Sequence, residues 1–259
     1  MTIDEAARRL LHAYATRRAI EPISAGPVAL TVDDAYAIQL AQVRRWRRDG
    51  RALRGHKIGL TSMAMQEQLG IDQPDYGHLF ADMFFPPDEP IPLNRFLQPR
   101  AEPEFAFVLA DDLAGPGLTR RDVLAAVGSV HPALEIIDSR IVDWRIGLVD
   151  TIADNASSGG VVLGPDPLPV AAADLATAPC AFLVDGEVVA TGVGADVRDA
   201  PLGALLWLAN RLGELGQRLE AGQVVLSGSL TRAIPIDSGN IVVADFPGLG
   251  SVRAEFVRR

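Results

Sequence analysis

Gln98-Pro99-Arg100-Ala101-Glu102-Pro103-Glu104-Phe105-Ala106-Phe107 is the stretch on which the reading of this chain turns. Phe105 to Leu109 is a short apolar run of the kind that forms a β-strand. If the residues before it are extended too, alternate side chains share a face, and Glu102 and Glu104 point the same way. Carboxylates that close repel unless a cation or a proton lies between them. Pro103 has no N–H for a ladder and argues for an edge strand. A third acid, Glu135, interrupts the apolar run Pro132-Ala133-Leu134-Glu135-Ile136-Ile137, where a carboxylate is costly unless it is paired or bound to metal. Three oxygen donors with no accompanying His or Cys cluster select a hard divalent ion, Mg²⁺ or Mn²⁺. The competing reading puts Glu102 and Glu104 on a solvated strand face and pairs Glu135 with an arginine such as Arg140.

Working outward, further β-like runs lie at Gly160 to Leu163, Cys180 to Val184, Val188 to Thr191, Val224 to Leu226, Ile241 to Phe246 and Ser251 to Phe256. Asp185-Gly186 joins two of them as a two-residue hairpin turn. Helical periodicity occupies residues 2–18, followed by a loop from Glu21 to Pro27. A second helix is signalled by Thr31 as N-cap with Asp33 and Asp34 in its first turn, and it should stop near Asp49-Gly50. Later helices are expected at Arg120 to Gly128 and Leu202 to Leu215. The pattern is α+β: an N-terminal helical region, residues 1–54, and a β-rich catalytic domain, residues 55–259.

Composition narrows the function classes. An apolar fraction of 48% with 22% charged residues suits a globular chain with a sizeable core, and no run approaches a membrane span. A formal charge of −9 leaves no basic surplus for nucleic acid. Arg44-Arg45-Trp46-Arg47-Arg48 is a local exception, expected on the solvated last turns of a helix where it complements the macrodipole. The N-terminus is charged and helical in pattern, unlike a signal peptide. With Cys180 alone no intrachain disulfide can form, which fits a reducing cytoplasm.

Of 24 basic side chains, 23 are arginine and one, Lys57, is lysine. A lysine amine is compact and its pKa can be tuned, so a lone lysine is a candidate for chemistry that a guanidinium cannot perform. It sits in Gly55-His56-Lys57-Ile58-Gly59-Leu60-Thr61-Ser62, where flanking glycines allow close approach of backbone to a ligand. Asp150 to Gly160 is dense in small polar residues, the kind of loop that places hydroxyls and N–H groups around an anion. No G-x-S-x-G, G-x-G-x-x-G, P-loop, H-E-x-x-H or C-x-x-C occurs. The four histidines are scattered, and His78 is expected to be a structural hydrogen-bonder.

Together, GHKIGLTS at 55–62, MQEQLGIDQPDYGHLFADM at 65–83, QPRAEPEFAFVLADDL at 98–113, PALEIIDSRIVDWRI at 132–146 and DTIADNASSGGVVLG at 150–164 resemble the 2-keto-4-pentenoate hydratase and 4-oxalocrotonate decarboxylase family of the fumarylacetoacetate hydrolase superfamily. The resemblance implies a fumarylacetoacetate-hydrolase-like body in which Glu102, Glu104 and Glu135 hold Mg²⁺ or Mn²⁺. It implies Lys57 and Asp75 as catalytic residues and Leu60 and Ser158 as substrate contacts. The implied reaction is addition of water to a 2-hydroxy-2,4-dienoate to give a 4-hydroxy-2-oxo acid, carried out by a homo-oligomer. Decarboxylation of a 2-oxo-3-hexenedioate and acylpyruvate-type C–C hydrolysis are the alternatives. One departure is Ala200-Pro201, with Gly203 soon after, where relatives commonly carry His or Asn; it favours a neutral substrate tail.

Overall fold

The computed structural model describes residues 1–26, 29–61, 74–170 and 174–258. Pro27, Ser62 and the 65–73 part of one quoted motif lie outside the described residues. Helix α1 (Ile3–Thr16) is capped by the Thr2 hydroxyl, and α2 (Val32–Arg48) by a reciprocal capping box between Thr31 and Asp34. Each buries one face, through Ala6, Ala7 and Leu10 in α1 and through Ile38, Gln39, Gln42 and Trp46 in α2. The arginines around Trp46 are exposed while its indole is buried, as amphipathic spacing requires.

The remaining elements run β1 (Leu53–Gly59), β2 (Asp75–Phe80), β3 (Phe84–Phe85), β4 (Ile91–Pro92), β5 (Arg100–Leu109), α3 (Arg120–Ala126), β6 (Val127–Ile137), α4 (Leu148–Ala153) and β7 (Ser158–Leu163). Then follow β8 (Pro179–Val184), β9 (Glu187–Val193), α5 (Ala200–Glu214), β10 (Val224–Leu226), β11 (Ile234–Pro235), β12 (Ile241–Phe246) and β13 (Gly250–Val257). One sheet has the order β2-β1-β10-β5-β6-β7-β3 with β11 beside β5; the other is β4-β13-β12-β8-β9. The sheets meet where Phe105 packs on Phe246, ring centroids 4.8 Å apart. The same apolar cluster takes in Leu10 and Ile38 from the N-terminal helices and Leu205, Leu208 and Leu212 from α5. The architecture is α+β, with helices packed on a β-rich body.

Two expectations change on contact with the structure, and two strands were not anticipated. β5 begins at Arg100 and is central, between β10 and β6, so Pro103 does not mark an edge strand. The proline is tolerated because β10 pairs only with 106–108 and β11 only with 100–101. Its ring faces the gap between them, where the Leu230 N–H donates to Pro103 O at 3.1 Å. The helix expected through Gly128 ends at Ala126, and Val127 opens β6. β1 and β2 carry His56, Lys57, Asp75 and His78 within largely buried strands, so neither alternation nor an apolar run announces them. The Asp185-Gly186 hairpin forms as expected, with φ of 52° and 86° and Val184 paired with Glu187.

Candidate active site

Sheet register assembles the acidic cluster. β5 and β6 are antiparallel with Glu102 directly opposite Glu135. Two-residue alternation puts Glu104 on the same face. One carboxylate oxygen from each lies within 4.8 Å of the others. Glu104 and Glu135 are 1% and 0% exposed, so this is not the solvated strand face of the competing reading. Glu104 Oε2 accepts from the Gly228 N–H at 2.8 Å, whereas Glu104 Oε1 and Glu135 Oε2 have no hydrogen-bond partner among the described residues. Burial raises all three carboxyls above their ordinary range, Glu102 to about 7. For Glu102 and Glu104 the repulsion of Glu135 adds to that rise, and Lys57 opposes it in every case.

Lys57 and Asp75 arrive on neighbouring strands. β1 and β2 pair Gly59 with Asp75 and Lys57 with Gly77. The Lys57 Nζ stands 3.2 Å from Glu135 Oε1. Arg140, the partner proposed for Glu135 in the competing reading, is occupied elsewhere: its Nε donates to Asp154 Oδ1 at 2.7 Å. Burial alone would lower the Lys57 ammonium, but Glu135, Asp75, Glu102 and Glu104 outweigh it and raise it above the usual lysine range. Burial pushes Asp75 up to about 6, against the pull of Lys57. Asp75 Oδ2 accepts a long hydrogen bond, 3.4 Å, from the Thr151 hydroxyl of α4, and its Oδ1 is buried without a partner among the described residues. The two glycines around Lys57 differ in purpose. A side chain at Gly55 would collide with the Val224 backbone of β10, so Gly55 serves strand packing rather than a ligand. At Gly59 it would collide with Asp75 Oδ1, inside the site.

Lys57, Asp75, Glu102 and Glu104 line one cavity of about 190 Å³. Leu60, Trp144, Ala156 and Ser157 also line it, and all four have left-handed backbone, φ between 51° and 56°. Such φ costs a non-glycine residue about 1–2 kcal/mol, so its concentration here marks a site whose geometry is imposed by the surroundings. The turn at Asn155–Ser157 is clamped onto β2, because the Asn155 side chain bonds both the N–H and the carbonyl of His78. His78 is thus held through its backbone. Leu60 lines the cavity; Ser158 is buried, its hydroxyl donates to Asn155 O at 2.8 Å, and the neighbouring Ser157 is the serine on the cavity wall.

The donor set fits a divalent cation. Four carboxylates surround one ammonium, and three uncompensated charges cannot stay ionised in a buried site. A hard dication among Glu102, Glu104 and Glu135 satisfies the orphaned oxygens and permits ionisation. Sequence reasoning passed over Arg100, Trp144, Thr151 and Ser157 as cavity residues. Arg100 was within reach of the alternation argument, being two residues before Glu102. Thr151 and Ser157 belong to the small-polar stretch from Asp150 to Gly160, and nothing local distinguishes Trp144.

Comparison with known proteins follows the same line. No family model matches the chain. It is 45% identical over 253 residues to 2-keto-4-pentenoate hydratase from Paraburkholderia xenovorans (strain LB400), covering 98% of this chain and 94% of that one. It is 43% identical to 2-oxo-hept-4-ene-1,7-dioate hydratase from Escherichia coli, covering 97% and 96%. The solved structure of 4-oxalocrotonate decarboxylase from Pseudomonas putida G7, complexed with magnesium and adipate, superposes with a TM-score of 0.94 at 33% identity, covering 98% and 97%. With the acidic triad, the buried lysine and this similarity along nearly its whole length, the chain belongs to the 2-keto-4-pentenoate hydratase and 4-oxalocrotonate decarboxylase family of the fumarylacetoacetate hydrolase superfamily.

Proposed function

We propose that this protein is a metal-dependent hydro-lyase that adds water to a 2-hydroxy-2,4-dienoate of the 2-hydroxypenta-2,4-dienoate type, giving a 4-hydroxy-2-oxo acid. The observation that carries the reading is the meeting of Glu102, Glu104 and Glu135 with Lys57 and Asp75 around one small cavity. Glu102, Glu104 and Glu135 would hold Mg²⁺ or Mn²⁺, which would supply Lewis-acid polarisation of a 2-oxo or 2-hydroxy acid. Lys57 presents an ammonium to the negative charge that grows on the C1 carboxylate and C2 oxygen. Asp75 handles protons: it takes the dienol proton from oxygen and returns one to C5, giving the α,β-unsaturated ketone, then accepts a proton from the water that adds at C4 and delivers it to C3, which regenerates the carboxylate. The Thr151 hydroxyl orients its carboxylate. Leu60 and Ser157 contact the substrate, and Ser158 supports that wall through Asn155. Assembly as a homo-oligomer and a cytoplasmic location belong to the same proposal and rest on the family resemblance and the lone, buried Cys180.

The second reading, decarboxylation of a 2-oxo-3-hexenedioate, draws on the TM-score of 0.94 to a decarboxylase. The greater identity to hydratases, 45% against 33%, favours hydration. The test is to supply Mg²⁺-loaded protein with 2-hydroxypenta-2,4-dienoate and with 2-oxo-3-hexenedioate, following dienol absorbance and CO₂ together. Loss of the dienol without CO₂ is the expected result. A kcat/KM for CO₂ release above that for hydration makes the protein a decarboxylase.

A further inference from the structure

We propose that a second cavity, on the reverse face of β1 from the catalytic one, binds a small oxyanion, a phosphate or a carboxylate, on Arg47, Arg218, His56 and Gln223. Strand alternation separates the two sites: Lys57 lines the catalytic cavity, and His56, one residue earlier, lines the other. The second cavity has a volume of about 660 Å³ against about 190 Å³, within the range of small-molecule sites. Arg47 comes from the last turn of α2. The chain after α5 adds Gln217, Arg218 and Glu220, and Gln223 leads into β10. Nothing in this site depends on which reaction the catalytic cavity performs.

Two buried, unpartnered side chains point to a ligand. His56 is 2% exposed and Gln223 8%. The His56 Nδ1 has no hydrogen-bond partner among the described residues, and none of them bonds its other ring nitrogen. Gln223 Oε1 accepts from the Glu220 N–H at 3.3 Å, while its Nε2 donates to no described residue. Polar groups so far from water are costly to leave unpaired. Burial, with His78 opposite at 4.9 Å between ring centroids, keeps the His56 imidazole neutral near pH 7, so one of its nitrogens carries a hydrogen to donate.

Charge selects an anion. Among the described residues, two guanidiniums and one carboxylate line the cavity, in a chain whose formal charge is −9. Arg47 makes no ion pair within 4.0 Å among the described residues. Arg218 has Asp112 at 3.4 Å and Glu220 at 3.8 Å, exposed pairs that water screens and an incoming anion can displace. The carbonyls of Leu212 and Gly213 at the end of α5 would repel an anion, but the N–H groups of Leu215, Gly216 and Gln217 take them up. A metal ion is the weaker fit, since both arginines repel it and Glu220 alone offers a carboxylate. Planar guanidinium forks match the oxygens of carboxylate and phosphate.

The histidines number four, His12, His56, His78 and His131, so the NMR signals of isotope-labelled rings can be followed one by one and assigned by substituting each histidine in turn. Mg²⁺-loaded protein is titrated with sodium phosphate and, separately, with sodium acetate, the ionic strength being held constant with sodium chloride. The His56 signal should shift saturably and its titration midpoint should rise, because a bound anion favours the imidazolium. His12 and His131 should not move. Arg47→Gln changes an exposed side chain, so melting and turnover should be kept while the apparent Kd rises about 10- to 100-fold, the range for a lost charge-assisted hydrogen bond. Binding of either titrant through Arg47 upholds the site, and the tighter of the two names its ligand. No saturable shift, a shift that chloride reproduces, or one that Arg47→Gln leaves unchanged overturns it.

Discussion

Replacing Gly59 by alanine isolates the position of Asp75 from everything else in the site. The φ of Gly59 is not left-handed, so the backbone accepts alanine. The new methyl would overlap Asp75 Oδ1 and stand 3.3 Å from its Cγ and 3.5 Å from Lys57 Nζ. The β1–β2 ladder, which pairs these two residues, cannot open locally, so the carboxylate end must yield. Reaching ordinary contact displaces it by about 1 Å, and a misplacement of that size costs on the order of 100-fold in rate. That corresponds to about 2.7 kcal/mol of barrier. Stability should change little, because a side-chain terminus moves more cheaply than backbone. The assay is kcat from dienol absorbance at saturating Mg²⁺, with a thermal melt and a Mg²⁺ titration on the same preparation. The expected pattern is kcat down about 100-fold with fold and metal affinity retained. A kcat within threefold of wild type in a folded variant would refute the reasoning, since Asp75 would then not need its place.

Excess chelator should abolish turnover and Mg²⁺ or Mn²⁺ restore it; Glu104→Gln should weaken metal binding in calorimetry while far-UV circular dichroism is unchanged, and full activity in excess EDTA contradicts the triad's role. Lys57→Arg keeps the charge and changes donor geometry, so kcat should fall at least ~100-fold, the scale for losing an electrostatic or acid–base group. Borohydride added during turnover should trap no adduct, and a reduced adduct at Lys57 would indicate imine chemistry. Acid should destabilise the fold through its buried histidines. Burial lowers His78 to about 4 and His56 well below its usual value, their rings 4.9 Å apart. Below pH ~6.5 the unfolded chain binds protons that the folded imidazole refuses, so stability present above that pH is lost as pH falls toward 4. At about 1.4 kcal/mol per pH unit, wild type should lose about 2 kcal/mol more than His78→Phe between pH 7 and pH 5 in urea unfolding; equal losses in the two proteins exclude the histidine as the cause.

Much of this protein was legible along the chain. Thr31 with Asp34 in the first turn of α2 and the Asp185-Gly186 turn are local devices whose partners lie within a few residues, and both formed as read. Glu102 and Glu104 could be placed on one face because strand alternation is a property of the backbone alone. The oddity of Lys57 and the cost of Glu135 in an apolar run pointed to chemistry before any fold was in view. Sequence could not say that Glu135 stands opposite Glu102, because register between β5 and β6 is fixed by how both strands bury against the second sheet. Nor could it say that Glu135 meets Lys57 and leaves Arg140 to Asp154, since those partners come from strands and turns far apart in the chain. Pro103 sat in a central strand because two short neighbours leave a gap beside it. Arg100 gained its place at the cavity only when Trp144, from a strained turn more than forty residues away, closed beneath it. The chemistry of the side chains was written in their identities, and their meeting was decided by long-range pairing, where the buried area that fixes register belongs to the whole sheet and to no single segment.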